Sequence, residues 1–172
     1  MVATTAVDWK GADQNGLWLN FAVDAHNLGK TPATDVNISQ PRVVISDDAA
    51  NSSGSDLLKQ ACGSVMKGNR VQGSIIYPGI PVRPIEASAW VPGSQIRKES
   101  ARHSGLTILV AVCVIYRPTY QVDRPYRYGQ VYAVGDRSAY MSGIPPYLQI
   151  NKPVPTENVM VEPYAFTRPI ID

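Results

Sequence analysis

Two cysteines and two histidines are the residues of this chain whose types could bind a metal or form a redox pair. Cys62 and Cys113 allow one disulfide, which would close a loop of about fifty residues and favour an oxidising compartment. A reduced pair is the alternative, with Cys113 buried in a strand and Cys62 on a helix face, and the sequence leaves both open. His26 and His103 lie far from each other and from the cysteines, so no zinc site is expected.

Base catalysis would have to use one of these histidines. His103 precedes Ser104 directly, but neighbouring side chains on a strand point apart and do not form a nucleophile and base pair. His26 follows a strand and precedes a turn, where hydrogen bonding to the backbone is the ordinary role. Neither standard phosphate-binding glycine loop is present. The carboxylates are scattered and show no acid and base pairing: Asp24, Asp35, Asp47 and Asp48. The sequence therefore predicts no enzyme and no cofactor.

Tyrosine and arginine are locally enriched between residues 116 and 140, where six of the nine tyrosines fall. Together these side chains could stack bases, grip phosphates or form the hot spots of a protein interface. They could equally be the exposed face of a hairpin, since tyrosine suits strands. The candidate interaction surface consists of Tyr116, Arg117, Tyr120, Arg124, Tyr126, Arg127, Tyr128, Tyr132, Arg137 and Tyr140.

Composition indicates one globular domain. The chain has 172 residues, of which 44% are apolar and 17% charged, an ordinary balance for a domain with a real core. The net charge of +2 is too small to attract nucleic acid by itself, so a protein partner or self-association is expected instead. The start of the chain lacks the basic and apolar regions of a signal peptide. A membrane contact would need a segment that is absent from this chain.

The segment Gly105–Pro118, GLTILVAVCVIYRP, is apolar almost throughout. A strand covered on one face alternates apolar and polar residues, so this run predicts a central strand covered on both faces. It is too short to cross a membrane as a helix, which needs about twenty residues. The pattern also includes alternation at Leu17–His26, a break at Pro41 between two short strands, and a predicted hairpin partner at Arg127–Val134.

These segments predict an all-β fold, an immunoglobulin-like sandwich of about seven strands in residues 1–141. One short helix is expected at about 55–67, with Leu57, Leu58 and Ala61 facing inward. Residues 142–172, here called the C-terminal arm, hold six of the fourteen prolines. Because proline cannot donate to a sheet, we expect the arm to pack over the domain or on a partner.

Two regions of the chain resemble a broad group of uncharacterised bacterial proteins. That group carries transmembrane helices near the N-terminus, followed by a β domain with an Asn-x-Gly-x-Thr-Pro-Ala turn, a Pro-Gly turn and a Cys-Val-x-Tyr strand. The matching residues here are Asn27, Gly29, Thr31, Pro32 and Ala33, then Pro78 and Gly79, then Cys113, Val114 and Tyr116. The resemblance covers about residues 17–135 and lends no catalytic residue. It implies an Ig-like domain with a membrane anchor, and the arm departs from the group's pattern.

The function expected from these observations is that of a non-enzymatic binding or interaction domain. By the resemblance, it is the soluble part of a membrane-anchored bacterial protein, with the periplasmic side favoured over the cytoplasmic if Cys62 and Cys113 are oxidised. One alternative is a structural subunit of a secreted or viral assembly that uses its arm to pair with a neighbour. The other alternative is a small-molecule sensor or a hydrolytic domain that uses His26 or His103.

Overall fold

The structure is a computed structural model that describes part of the chain. Its described residues are 2–6, 16–24, 26–27, 29–39, 41–46, 52–67, 74–80, 85–94, 105–120, 125–139, 147–149, 154–164 and 170–171. These residues form a mostly β protein, an antiparallel sheet accompanied by one short helix. The predicted predominance of β structure is therefore confirmed, and the strands are antiparallel.

The elements follow in chain order. They are β1 (Val2–Ala6), β2 (Gly16–Asp24), β3 (Ala33–Ile38), β4 (Arg42–Ser46), α1 (Ser52–Lys67), β5 (Ser74–Ile76), β6 (Ile85–Pro92), β7 (Gly105–Pro118), β8 (Tyr126–Asp136), β9 (Leu148–Gln149), β10 (Val159–Pro163) and β11 (Ile170–Ile171). Single 3₁₀ turns lie at Arg137–Ala139 and Thr156–Asn158. The described residues therefore contain eleven strands where the sequence predicted about seven.

Eight of the described strands share one antiparallel sheet, whose main path runs β10, β8, β7, β3, β5. β7 and β8 form its centre and pair from Ile108 opposite Val134 to Tyr116 opposite Tyr126. The other edge of β7 is shared by two strands in succession: β4 pairs with its first half and β3 with its second. The predicted hairpin of β7 with its following strand is therefore confirmed as the centre of the sheet.

β3 and β4 pair with the same edge of β7, and the break between them leaves that edge without a strand partner at Cys113. Ser39 fills the gap, since its N–H donates to the Cys113 carbonyl at 2.7 Å and its Oγ accepts from the Cys113 N–H at 2.9 Å. Pro41, which has no N–H to donate, lies in this break. Both flanking strands pair with β7, so the break stays within one sheet.

A second, three-stranded antiparallel sheet consists of β1, β2 and β6. β2 is its middle strand, with Val2 opposite Asp24 on one side and Gly16 opposite Pro92 on the other. β6 contacts β4, and β1 contacts β10, so the short sheet lies against the larger one. Val91 of β6 is buried there, in a cluster with residues of β7 and β8.

β7 is buried on both of its faces, as the sequence predicted. Every residue from Ile108 to Ile115 is buried. On one face, the even-numbered residues from Leu106 to Val112 pack with Val91, Leu148 and Val154. On the opposite face, the odd-numbered residues pack against α1, because successive side chains of a strand alternate between faces. The element that covers the odd-numbered face of β7 is therefore a helix.

α1 packs on β7 and β8 through the apolar residues that the sequence placed inward. Leu57, Leu58 and Ala61 are buried against Leu109, Ala111 and Cys113. Cys62 and Cys113 form a disulfide, with their Cα atoms 5.1 Å apart. Because this bond joins positions 51 residues apart in sequence, the chain-entropy model gives it about 4 kcal/mol of stabilisation.

Gly129 allows the helix to approach this closely. It lies opposite Cys113 on β8, directly beneath α1. A Cβ at this position would lie 2.8 Å from Leu58 Cδ1 and 2.9 Å from Cys62 Sγ. Leu58 is fully buried and Cys62 is held by the disulfide, so neither side chain has room to move away.

The described parts of the C-terminal arm pair with the chain's own sheet. β9 pairs with β7, and β10 and β11 pair with β8. Tyr164, just after β10, donates its N–H to the Val131 carbonyl at 2.9 Å and is buried in the helix-side cluster. The predicted boundary between residues 141 and 142 lies outside the described residues.

No helix among the described residues is long and apolar enough to cross a membrane.

Replacing Gly129 with alanine should destabilise the domain by about 1–3 kcal/mol, because the new methyl group would overpack the contact between α1 and β8. Gly63 of α1 is the matched control, since a Cβ there meets no atom within 4 Å. Gly63→Ala should be neutral or stabilising by up to about 1 kcal/mol. Urea unfolding measures both, and equal stability of Gly129→Ala and wild type would contradict the close packing.

Thiol titration under denaturing conditions tests the disulfide. The protein should have no reactive thiol before reduction and two after it, because Cys62 and Cys113 are its only cysteines. Two thiols without reduction would show that the packing between α1 and β7 forms in the reduced state.

Candidate functional site

The ten tyrosines and arginines of the predicted interaction surface do not lie together. Tyr116, Tyr126 and Tyr128 have even numbers and share the face of the sheet opposite α1, with Tyr116 paired to Tyr126 and Val114 to Tyr128. Arg117 and Arg127 have odd numbers, so they project toward the face that carries α1. The alternation of a strand therefore separates the rings from the guanidinium groups.

Two further members of that surface lie elsewhere, a third lies beyond the end of β7, and two fall outside the described residues. Tyr132 is buried in the core with only 5% exposure, because it packs with Val110 and Val91 in the main apolar cluster. Arg137 follows the far end of β8 from Tyr126, about 36 Å away at the rise of a strand. Tyr120 lies beyond the end of β7 and is 68% exposed. Arg124 and Tyr140 lie outside the described residues.

Tyr116 of β7 and Tyr128 of β8 line one side of a pocket of about 470 Å³, here called the tyrosine pocket. Its floor is the small apolar cluster of Val36, Ile76 and Val114. One wall carries these tyrosines and Tyr120, and the other consists of described residues between 26 and 33, which precede or begin β3. The full described lining is His26, Asn27, Gly29, Thr31, Pro32, Ala33, Val36, Ile76, Val114, Tyr116, Pro118, Tyr120 and Tyr128.

Asn27 fixes the wall that faces the tyrosines. Its side-chain amide donates to the Thr31 carbonyl at 2.8 Å and to the Ile76 carbonyl at 2.9 Å. Its Oδ1 accepts from the Gly29 N–H at 2.9 Å, an Asx-type turn. The first and third bonds close the turn on itself, and the second joins it to β5. The wall is therefore held in place before any ligand arrives.

The floor of the pocket is shaped by a bulge in β3. The register between β3 and β7 shifts between Thr34 and Asn37, and Asp35 has a φ of 50°, in the left-handed region that aspartate tolerates. Asp35 lies 3.5 Å from Arg117, which keeps this guanidinium near the bulge. The extra residue puts both Ala33 and Val36 in the pocket lining.

The tyrosine wall is a packed group of rings. The rings of Tyr116 and Tyr126 stack with centroids 5.9 Å apart and an angle of 25° between their planes. Burial, and then the nearby hydroxyls of Tyr120 and Tyr126, raise the pKa of Tyr116. Burial, with a smaller effect of Tyr128, raises the pKa of Tyr132 to about 12. Burial also raises the pKa of Tyr164. Tyr116 therefore contributes an uncharged hydroxyl at neutral pH.

Four of the exposed apolar residues lie in the pocket lining or close to it in sequence. Among the described residues, the large apolar side chains that are exposed are Ile75, Tyr77, Ile80, Trp90 and Tyr120. Tyr120 lines the pocket itself. Ile75 and Tyr77 are the sequence neighbours of the pocket residue Ile76, and within β5 the Ile75 side chain projects away from the face that carries Ile76. Ile80 follows the turn whose Gly79 N–H donates to the Asn27 carbonyl at 3.4 Å. We call Ile75, Tyr77, Ile80 and Tyr120 the pocket rim.

The described lining contains one imidazole and no carboxylate. His26 is exposed at the pocket mouth, while Asp35 is paired with Arg117. His103, Asp47 and Asp48 lie outside the described residues. In the part of the chain that the structure describes, no group of three or more His, Cys, Asp or Glu side chains could hold a metal ion. A lining of this composition can bind a ligand by apolar contact and by hydrogen bonds that involve no carboxylate.

Sequence reasoning located the tyrosines but missed the opposite wall of the pocket. The turn residues Asn27, Gly29 and Thr31 were visible in the sequence, although only as a connection between strands. These residues are distant from Tyr116 in sequence, and the pairing of β3 with β7 brings them close to it in space. A signal was present, since an Asn two residues before Gly favours a side-chain turn.

Asn27→Ala should destabilise the protein by about 2 kcal/mol, because it removes three hydrogen bonds and leaves the Ile76 carbonyl without this donor. Asn37→Ala is the matched control, since the Asn37 amide donates only locally, to the Asp35 carbonyl at 2.9 Å. That control should change stability by less than about 0.5 kcal/mol. Chemical unfolding of both variants measures the difference, and equal effects would mean that Asn27 does not hold the wall.

Comparison of the chain with protein-family models, with curated proteins and with solved structures finds no match. The function must therefore follow from the chain's own residues, above all from those of the tyrosine pocket and its rim.

Proposed function

We propose that this chain is a non-enzymatic binding and interaction domain whose contact surface is the tyrosine pocket together with the pocket rim. The observation that carries the proposal is the position of the exposed apolar residues. Of the five large apolar side chains exposed among the described residues, Tyr120 lines the pocket, and Ile75, Tyr77 and Ile80 lie in or shortly after β5, beside the lining residue Ile76. Such clustering marks interaction sites, whereas single exposed apolar residues are ordinary.

The composition of this surface supports a protein partner or a second copy of the chain. Tyrosine is enriched in protein interfaces because it gives a large contact area for little loss of conformational freedom. Tyr77 and Tyr120 are 51% and 68% exposed, so both are accessible to a partner. The described lining and rim contain no lysine or arginine, which argues against nucleic acid.

The finer architecture and the cellular setting belong to the same proposal. An immunoglobulin-like sandwich is supported by two antiparallel sheets that meet at Val91, with α1 on the outer face of the larger one. The Cys62–Cys113 disulfide supports an oxidising compartment, which for a bacterial protein is the periplasm. The resemblance to anchored bacterial proteins supports a membrane-anchored protein of which this domain is the part outside the bilayer.

Two other functions have less support. A small-molecule sensor would bind its ligand in the same tyrosine pocket. A hydrolytic domain would need a residue that orients His26, and the described lining has no carboxylate for this role. A structural subunit would need its arm to be free for a neighbour. The described strands of the arm already pair with β7 and β8 of their own chain.

A photo-crosslinking amino acid tests the contact surface. Benzoylphenylalanine in place of Tyr77 should give covalent adducts in cells that make the full protein, because this ring lies on the pocket rim. Gln60 is the matched control, since it is exposed on α1, on the opposite face of the larger sheet. Adducts of twice the mass of the protein itself would identify a second copy, and other masses a different partner.

The proposal would be wrong if position 77 gave no adduct, or if positions 60 and 77 gave adducts in equal yield. Thermal unfolding of each labelled protein should remain cooperative, which excludes misfolding as the source of the adducts.

A further inference from the structure

The tyrosine pocket is large enough for a ligand of its own. An apolar cavity of roughly 150 Å³ holds one benzene molecule, and this pocket has about three times that volume at about 470 Å³. Ligand sites of proteins have volumes of about 300–1,000 Å³ and combine an apolar lining with a few polar groups. Since one side of this pocket is open, part of its volume stays in contact with water. Two or three fused rings therefore fit it better than one.

The charge of the pocket narrows the class of ligand. Its described lining contains no lysine, arginine, aspartate or glutamate. A charged ligand would lose water on entering and gain no opposite charge in return. The floor of Val36, Ile76 and Val114 is apolar, so it favours an uncharged ligand with an apolar surface.

The two walls of the pocket differ in what they offer such a ligand. One wall has the rings of Tyr116, Tyr120 and Tyr128, which favour a flat aromatic partner by stacked or edge-to-face contact. The other wall has the His26 imidazole and the Thr31 hydroxyl, while both amide protons of Asn27 are already donated. A hydroxyl on the ligand could therefore be bound from this second wall.

The arrangement points to a binding site for a free, uncharged small molecule of two or three fused aromatic rings that carries a hydroxyl group. We infer this ligand class from the volume, the absence of charged groups in the described lining and the opposed aromatic and polar walls. The inference rests on the proposed function, because it names a class of ligand for the same tyrosine pocket. It adds a small-molecule site to a surface proposed for macromolecular contact.

Preorganisation of the walls strengthens the inference. Asn27 bonds to β5 as well as to its own turn, and the Tyr116 ring is stacked on Tyr126. Ligand binding therefore requires little ordering of the pocket, which lowers the entropic cost of association. The exposed ring of Tyr120 is the part of the wall with freedom to close over a bound ligand.

A pair of matched probes tests the inference on the full protein. 2-Naphthol has two fused rings and a hydroxyl and is neutral at pH 7, whereas 2-naphthoate has the same rings and a negative charge. In an NMR titration, 2-naphthol should shift the signals of Ala33, Val36, Ile76 and Val114 along a saturable curve. It should bind at least tenfold more tightly than 2-naphthoate.

Two exposed aromatic residues provide matched variants. Tyr120→Ala should weaken 2-naphthol binding about two- to tenfold, the range of an aromatic pair. Trp90→Ala should leave it unchanged, because Trp90 is 41% exposed and belongs neither to the pocket's described lining nor to its rim. Both changes are at exposed positions, and the NMR spectra report directly whether each variant is folded.

Three results would overturn the inference: no saturable shift at these four residues, equal affinity for the two probes, or equal weakening by the two variants. The crosslinking experiment at Tyr77 is independent of them. Adducts at Tyr77 without 2-naphthol binding would reject the small-molecule site alone. Probe binding without adducts would instead reject the macromolecular contact surface.

Discussion

The burial of β7 on both faces is the constraint on which the rest of the structure depends. A strand without polar side chains on either face is stable only where two other layers exclude water from it. In this chain one face of β7 is covered by an apolar cluster that includes Val91 of the short sheet, and the other face by α1. The order of the other strands in the larger sheet depends on what pairs with the two edges of β7.

The two layers are attached to β7 by different means. On the even-numbered face, contact depends on aliphatic packing, with Leu106, Ile108 and Val110 among the most buried side chains. On the odd-numbered face, a disulfide adds a covalent bond between α1 and the strand, and Gly129 removes the side chain that would hold the helix away. A chain with this disulfide reduced would keep the first layer and lose the constraint on the second.

The tyrosine pocket arises where the apolar face of the sheet continues past its main core. Val114 and Tyr116 follow Val112 on the same face of β7, but they belong to a separate small cluster with Val36 and Ile76. The segment 26–33 borders this cluster on one side only, so an apolar surface stays open between it and the tyrosines. We attribute the binding role to this place because it combines a rigid apolar floor with exposed apolar groups around it.

The sequence by itself determined several of the longer strands, among them β2, β7 and β8, the position of the helix, and the burial of β7 on both faces. Those features depend on local patterns, such as the unbroken apolar run of Gly105–Pro118 and the turn residues around Pro41 and Gly79. Only the tertiary structure decided that α1 covers one face, that Cys62 meets Cys113, and that Tyr132 is buried while Tyr120 is exposed. It also separated Arg117 and Arg127 from their tyrosine neighbours. These outcomes depend on strand register and on contacts between residues distant in sequence, which a local pattern of residue types does not contain.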